Sequence, residues 1–292
     1  MNNLKYVGKD EVLTTEQGLY IRDRAVEAAR RTFQGRKLFG NAIRKIDSST
    51  QTFGYDTLTH GSAAAFDWHW PGKLSIDAVN LARSSVAIPN LHKEFEINKL
   101  DLSAANGTLN TTQAESAAYK VAYLEDSLLI NGYSADGSNY DINGLYKAAG
   151  NTDATDLPWA TEANIATSIQ NGVGLLMADN ILPPYNLVVN PTEYAYMLDF
   201  VSGTAVSYFD WVKRVIQGEI YITPAMTAGD AMLVKADPTG AFEYVVAEDI
   251  TTQTEMTDLK SGNNLFGRVW VRGLPVIYDS NAICTLTAIE SP

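Results

Sequence analysis

The stretch from residue 48 to 85 constrains the fold of this chain more than any other. It carries Phe53, Tyr55, Phe66, Trp68 and Trp70 among Thr, Ser, Gly and Ala, with few strong helix formers. Burying one large aromatic side chain is worth about 2–3 kcal/mol, so several of them left in water would invite aggregation. A segment of strand-type composition with little helical scaffold cannot cover them alone. It must fold back on the main body or reach another chain. The composition predicts a two-stranded loop that projects from the subunit. Phe53, Tyr55, Phe66, Trp68 and Trp70 are then the predicted intersubunit contacts.

Helical patterns flank this segment. From Thr14 to Phe33, apolar residues recur at Leu19, Val26 and Phe33, with Ile21, Ala25 and Ala28 nearby, and Gly35 is placed to end the helix. Such a helix either packs into its own core or lies as an arm on a neighbouring subunit. A longer helix is predicted from Gln113 to Ile130. Thr112 and Glu115 have capping-box spacing, Ala114-Ala118-Val121-Glu125 and Ala117-Val121-Leu124-Leu128 form its stripes, and Asn131-Gly132 stops it. Its many alanines allow neighbours to approach closely. Beyond Pro158, helical spacing over Thr161–Asp179, Thr192–Phe200 and Ser207–Ile216 alternates with strands at Asn186–Val189, Glu219–Thr223 and Ala231–Val234, the pattern of an α/β lobe. The remainder reads as strands, at 242–246, 267–271, 275–278 and 283–289.

The chemistry-bearing residues are few. The chain of 292 residues has a formal net charge of −12, which argues against a nucleic-acid-binding surface. The single Cys284 excludes an internal disulfide and a cysteine zinc cage, and it sits in a strand pattern as a buried thiol. His60, His69 and His92 lack metal-ligand spacing. No nucleophile elbow, phosphate loop or dinucleotide fingerprint is present, and Gly172-Val-Gly174 lies inside a helical pattern. Glu125-Asp126 is an adjacent acidic pair on the long helix. Neighbouring helix positions diverge by about 100°, so the pair is expected to be a polar face or an ion-pair partner rather than one catalytic site. No catalytic, cofactor or metal site is predicted, and the chain is expected not to be an enzyme. The start, Met1–Asp10, has no apolar run, and no segment reaches the 18 or so apolar residues that span a bilayer. A soluble protein made in the cytoplasm is expected.

The order of segments, together with several local motifs, resembles the Hong Kong 97-type major capsid proteins of tailed viruses and the related encapsulin shell proteins. The motifs are Gln34-Gly35-Arg36 after the first helix, Leu100-Asp-Leu102, Glu125-Asp126, Asn131-Gly132 and Asn143-Gly144-Leu145. Tyr55-Asp-Thr-Leu58, Ala63–Ala65, Val86-Ala-Ile-Pro89 and Phe95-Glu-Ile97 look more like the viral members. The resemblance implies an α+β, Hong Kong 97-like capsid fold. Its parts would be an N-terminal arm with helix at 1–47 and an extended β loop at 48–85. A peripheral domain with a spine helix would take 86–157 and 237–292, and an axial α/β domain 158–236.

It also implies a viral major capsid protein that self-assembles into hexamers and pentamers of a closed icosahedral shell. That shell encloses a genome without sequence-specific binding and without a membrane, as a virion capsid assembled in the host cytoplasm. Portal, scaffold or decoration proteins are further partners the resemblance admits. The alternative is an encapsulin compartment enclosing cargo enzymes, in which a peptide-tagged protein docks on the inner surface partly through the N-terminal helix. An α/β enzyme in 158–236 is the remote alternative. Lys73, a lone lysine on the extended loop, is read as a solvated charge rather than a cross-linking site.

Overall fold

The computed structural model describes residues 15–32, 34–59, 80–97, 111–134, 140–256 and 265–289. Two sheets organise them. In the first, the order is β1 (Ile43–Lys45), β11 (Phe242–Met256), β12 (Leu265–Ile277) and β4 (Asn90–Ile97). The strands β11 and β12 form a long antiparallel hairpin, with β1 parallel to β11 on one side and β4 antiparallel to β12 on the other. The tail strands expected at 267–271 and 275–278 are one continuous strand, because the ladder to β11 runs on through Pro275 opposite Tyr244.

Two helices cover this sheet, α1 (Thr15–Thr32) and α3 (Thr112–Asn131). On α1 the buried stripe is Ile21, Ala25 and Ala29, while Leu19 is exposed. The stripe expected through Leu19, Val26 and Phe33 is corrected on this point: Val26 is only half-buried, and Phe33 lies outside the described residues. The reason is the partner surface. The stripe packs with Ala114, Ala117, Ala118, Val121 and Ala122 of α3, and two alanine-lined faces approach closely where a leucine would hold them apart. The α1 helix is therefore packed into its own subunit's core.

The second sheet has the order β7 (Asn151–Asp153), β13 (Ile283–Leu286), β10 (Ala231–Lys235), β8 (Tyr185–Val189) and β9 (Gln217–Ile222). The lobe expected at 158–236 supplies β8, β9 and β10, and β7 and β13 complete the sheet from outside that range. One face is covered by α4 (Glu162–Ala178), α5 (Pro191–Met197) and α6 (Tyr208–Ile216). Every residue of β8 is buried, as expected of a central strand covered on both faces. The helix expected over 192–200 ends at Met197, and an antiparallel bridge from Phe200 to Ser207 closes the turn that follows.

Gly172 and Gly174 play different parts on α4. A Cβ on Gly172 would stand 2.8 Å from Leu233 Cδ1 and 2.9 Å from Leu286 Cδ2, whereas one on Gly174 would meet nothing within 4 Å. Gly172→Ala is expected to destabilise by about 1–3 kcal/mol through overpacking. Gly174→Ala is expected to stabilise by about 0.5–1 kcal/mol through helix propensity. Urea unfolding midpoints of the two variants check both signs.

The extended segment forms a hairpin of β2 (Thr52–Thr59) and β3 (Asn80–Ala87), paired from Thr52 opposite Ala87 to Thr59 opposite Asn80. Asp56 and Arg83 make a two-bond ion pair across it, at 2.8 and 2.9 Å. Near its base, Phe53 and Tyr55 pack against the first sheet's core. Tyr55 meets Tyr278 edge to face at 6.1 Å, and the Arg44 guanidinium lies 5.6 Å from the Phe53 ring centre. Both rings thus lie half-buried against their own subunit. Phe66, Trp68, Trp70, His60, His69 and Lys73 lie outside the described residues.

Candidate functional site

A third cluster of buried side chains joins the two sheets, and a short helix sits in it. That helix, α2 (Gly35–Phe39), contributes Leu38 and Phe39, which pack with Leu129 and Ile130 of α3, Val188, Met232 and Val234 of the second sheet, and Phe242, Tyr244 and Val246 of β11. Phe39 meets the Phe242 ring edge to face at 5.3 Å. Whatever fixes α2 therefore fixes the junction between the two halves of the subunit.

The fixing groups are Glu125 and Asp126. Both are buried on α3. Asp126 Oδ2 accepts from the Gln34 N–H and Asp126 Oδ1 from the Gly35 N–H, each at 3.0 Å, so a carboxylate from another helix caps the first turn of α2. A Cβ on Gly35 would stand 2.9 Å from Asp126 Oδ1 and 3.1 Å from Leu129 Cδ1, so glycine is what lets the two helices meet. Arg36 Nε donates to Glu125 Oε1 at 2.8 Å and Arg36 Nη1 to Asp249 Oδ1 at 2.7 Å. The Tyr244 hydroxyl also donates to Glu125 Oε1. The Tyr244 ring lies over Gly273 of β12, where any side chain would collide with it.

Of the two roles expected for the acidic pair, the structure shows Glu125 as a buried ion-pair partner rather than part of a polar face, and it corrects the expectation that adjacent helix positions cannot serve one site. Two carboxylates that diverge around a helix can still grip one feature when that feature is three successive residues of a crossing chain. The same finding corrects the role of Gly35, which opens α2 rather than ending α1. A sequence signal was available, because Glu125 falls on the apolar stripe of Ala114, Ala118 and Val121. Leu124, expected on the second stripe, is exposed.

The motifs Asn131-Gly132 and Asn143-Gly144-Leu145 also meet. Gly132 ends α3 with φ of 79° and pairs with Asn143, while Leu145 N and Tyr146 N donate to the carbonyls of Leu129 and Ile130 at 3.0 and 2.7 Å. They satisfy carbonyls that the helix end leaves open. At the other end, Thr111 is the N-cap, one residue before the expected Thr112, and its hydroxyl donates to Glu115 Oε1 at 2.6 Å.

Electrostatics follow burial. Burial raises the Glu125 carboxyl, against the pull of Arg36. Burial works most strongly against the charged Arg36, yet Glu125, Tyr244 and Asp249 together outweigh it and raise the guanidinium. Burial also pushes Asp126 up to about 6, against the Gln34 and Gly35 N–H groups and the charges of Arg36 and Lys37. A carboxyl whose folded pKa lies above its unfolded value of about 3.9 makes no demand below that value and burdens the fold as pH rises through the window. Stability is thus expected to lose about 2 kcal/mol from this group between roughly pH 4 and pH 6. Asp126→Asn is expected to flatten that part of the profile. It should also cost about 1–2 kcal/mol near pH 5, because the amide turns a donor toward one of the two N–H groups. Urea titrations across pH for both proteins test this.

Beside this clasp, α1, α2 and β11 enclose an open cleft of about 690 Å³, with Arg22, Val26 and Arg30 on the α1 wall and Lys37 and Ile250 among the facing residues. Among the described residues no group of three or more His, Cys, Asp or Glu is placed to hold a metal. His92 is exposed on β4, and Cys284 is buried, with burial pushing its thiol up to about 12. No helix among the described residues is long and apolar enough to cross a membrane. The cleft and the clasp can hold and orient, and neither assembles a nucleophile with a base.

Comparison with known proteins gives the chain's relatives and its fold. A curated relative, the diheme-cytochrome-encapsulin shell fusion protein of Kuenenia stuttgartiensis, is 26% identical over 263 residues, which is 89% of this chain and 69% of that protein. The solved virus-like particle from Pyrococcus furiosus superposes with a TM-score of 0.68 at 19% identity, over 93% of this chain and 99% of that one. The capsid of Myoviridae phage XM1 superposes with a TM-score of 0.61 at 14% identity, over 84% and 89%. These likenesses give the fold as the mixed α and β, Hong Kong 97-like capsid fold, a fold of shell-forming structural proteins. Residues 1–260 match the Linocin_M18 family, described as encapsulating protein for peroxidase, and the chain belongs to that family of shell-forming proteins.

Proposed function

We propose that this chain is the repeating subunit of a closed icosahedral shell and that the shell encloses protein cargo. The family match over residues 1–260 carries the reading. The site supports it from the physical side. A shell subunit must keep its two halves in one relative orientation while heterologous contacts close around symmetry axes, since a small error in that angle gives open filaments instead of closed rings. The buried clasp on α2 supplies such rigidity. The cleft beside α1 supplies a place for a guest to dock. One relative joins a diheme cytochrome to an encapsulin shell in one chain, which makes a redox protein the class of guest to look for first.

Enclosure of a viral genome is the second reading. It is favoured by the phage capsid fold and by the hairpin of β2 and β3. A net charge of −12 disfavours retention of nucleic acid unless the inner face is locally basic.

Electron microscopy of the expressed protein, with nuclease protection and mass spectrometry of the particle contents, separates the two. Closed particles containing protein and no protected nucleic acid are expected. Protected nucleic acid would move the assignment to a virion capsid, and a monomer under all assembly conditions would remove both.

A further inference from the structure

We propose that Arg272 is the positioning residue that sets the angle at which the hairpin of β2 and β3 leaves the subunit. The hairpin forms a two-stranded sheet of its own, so its direction depends on how its root is held. Two pieces of chain make that root. Residues 46–51 lead from β1 into β2, and Ile88 and Pro89 lead from β3 into β4. The Ile88 N–H donates to Gln51 O at 2.9 Å and ties the two pieces together.

Arg272 stands where the first sheet gives way to this root. On one side its ladder partner is Asn90, the first residue of β4, and on the other it faces Glu248, between two register shifts of β11. Such shifts bend a ladder locally and re-aim side chains. The Arg272 guanidinium reaches the root, where Nη1 donates to Ser48 O and Nη2 to Thr50 O, the latter at 2.9 Å. These carbonyls belong to a turn already shaped by Asp47, whose Oδ1 accepts from the Ser49 N–H and hydroxyl and whose carbonyl accepts from the Thr50 N–H. A planar fork with two donors fixes both the place and the direction of that turn, whereas an ammonium acts as a point charge. Farther along β2 the contacts are ring contacts of half-buried side chains, Phe53 with the Arg44 guanidinium and Tyr55 edge to face with Tyr278, and these tolerate a range of separations. The consequence for assembly rests on the closed shell proposed above. Identical subunits close at one radius only if each presents its hairpin at one angle.

The test uses the full chain carrying Arg272→Ala, Arg272→Lys or, as a control, Arg268→Ala, which removes an exposed ion pair to Glu94 from the same strand. Residue-level hydrogen exchange follows the Thr50 and Ile88 amides at the root and the amides of β2 and β3. Electron microscopy gives particle diameters, and urea gives the unfolding midpoint. In Arg272→Ala the root amides are expected to exchange about tenfold faster, the effect of losing a hydrogen bond to a charged group. The amides paired within the hairpin and the unfolding midpoint are expected to stay near those of the unaltered protein. Particle diameters are expected to spread from one size to several. Arg272→Lys keeps the charge and loses the fork, so it is expected to share the faster root exchange. Arg268→Ala is expected to match the unaltered protein in all three measurements.

Root amides that exchange at the unaltered rate in Arg272→Ala, a lysine variant indistinguishable from the unaltered chain, or equal effects of Arg268→Ala and Arg272→Ala would each overturn the assignment. A single particle diameter despite faster root exchange would overturn it too, because the hairpin would then keep its angle without the fork. If Arg272→Ala fails to fold, Arg272→Lys decides alone. Root exchange is read on subunits in any state of assembly. A chain that never closes would therefore remove the shell reading, while exchange at the root still decides the role of Arg272.

Discussion

Arg36→Ala is expected to remove about 3 kcal/mol or more of stability near neutral pH, the range for breaking a buried ion pair by deleting one partner. The loss comes from Glu125. Its side chain is wholly buried, whereas Arg36 retains 16% of its side-chain exposure, so the residue left behind is the one that cannot find water. Tyr244 still donates one hydrogen bond, but one neutral donor does not compensate a buried carboxylate. The defect must also depend on pH with a definite sign. Without Arg36 the Glu125 pKa rises further above its unfolded value of about 4.3. A neutral Glu125 is tolerated below that value, and the loss grows as pH climbs toward the folded pKa, then levels off. The variant should therefore lie closer to the unaltered protein near pH 4 than near pH 8. Asp249→Ala is the control. Asp249 is about half exposed at 49%, so losing it should cost under about 1 kcal/mol. Urea unfolding of the three proteins across pH tests the set. Equal losses for Arg36→Ala and Asp249→Ala would contradict the assignment of Glu125 as the buried anchor.

Trp159→Ala is expected to cost about 3–5 kcal/mol, the range for truncating a fully buried large aromatic. Trp159 has no exposed surface and fills the helix-covered side of the second sheet with Ile165, Leu187 and Met197. Its backbone N–H donates to Ile289 O at 2.9 Å, so the residue ties the start of the lobe to the closing segment of the chain. Trp159→Phe is expected to lose less than half as much. The smaller ring refills most of the space, and the indole Nε1 has no hydrogen-bond partner among the described residues, so no polar contact is forfeited. Denaturation midpoints give the magnitudes, and particle yield shows whether the loss reaches assembly. If the phenylalanine variant is as unstable as the alanine one, cavity volume is not the cause.

Much of the element order was legible from local pattern. The predicted spans of α3, α4 and α6 lie within a residue or two of the observed ones. The helix-ending role of Asn131-Gly132 follows from a glycine whose φ is 79°. These succeed because period, capping residues and breakers act within a few positions. The resemblance motifs were visible as text, but their partnership was not. Gln34-Gly35-Arg36 and Glu125-Asp126 are about ninety residues apart in the chain and contact each other directly.

The sequence by itself determined the helical and strand periods and where most helices stop. Only the tertiary structure decided what each face meets. It turned Glu125, on the alanine stripe of α3, into a buried anchor, because α2 crosses there and brings Arg36 to it. It chose Ile21, Ala25 and Ala29 over Leu19 on α1, because the alanine face opposite rewards close approach. It drew β7 and β13 into the second sheet, since a strand's edge is satisfied by whichever backbone arrives in register. Helical and strand periods are local properties of a chain, whereas burial, hydrogen-bond partnership and pKa depend on residues that only folding brings together.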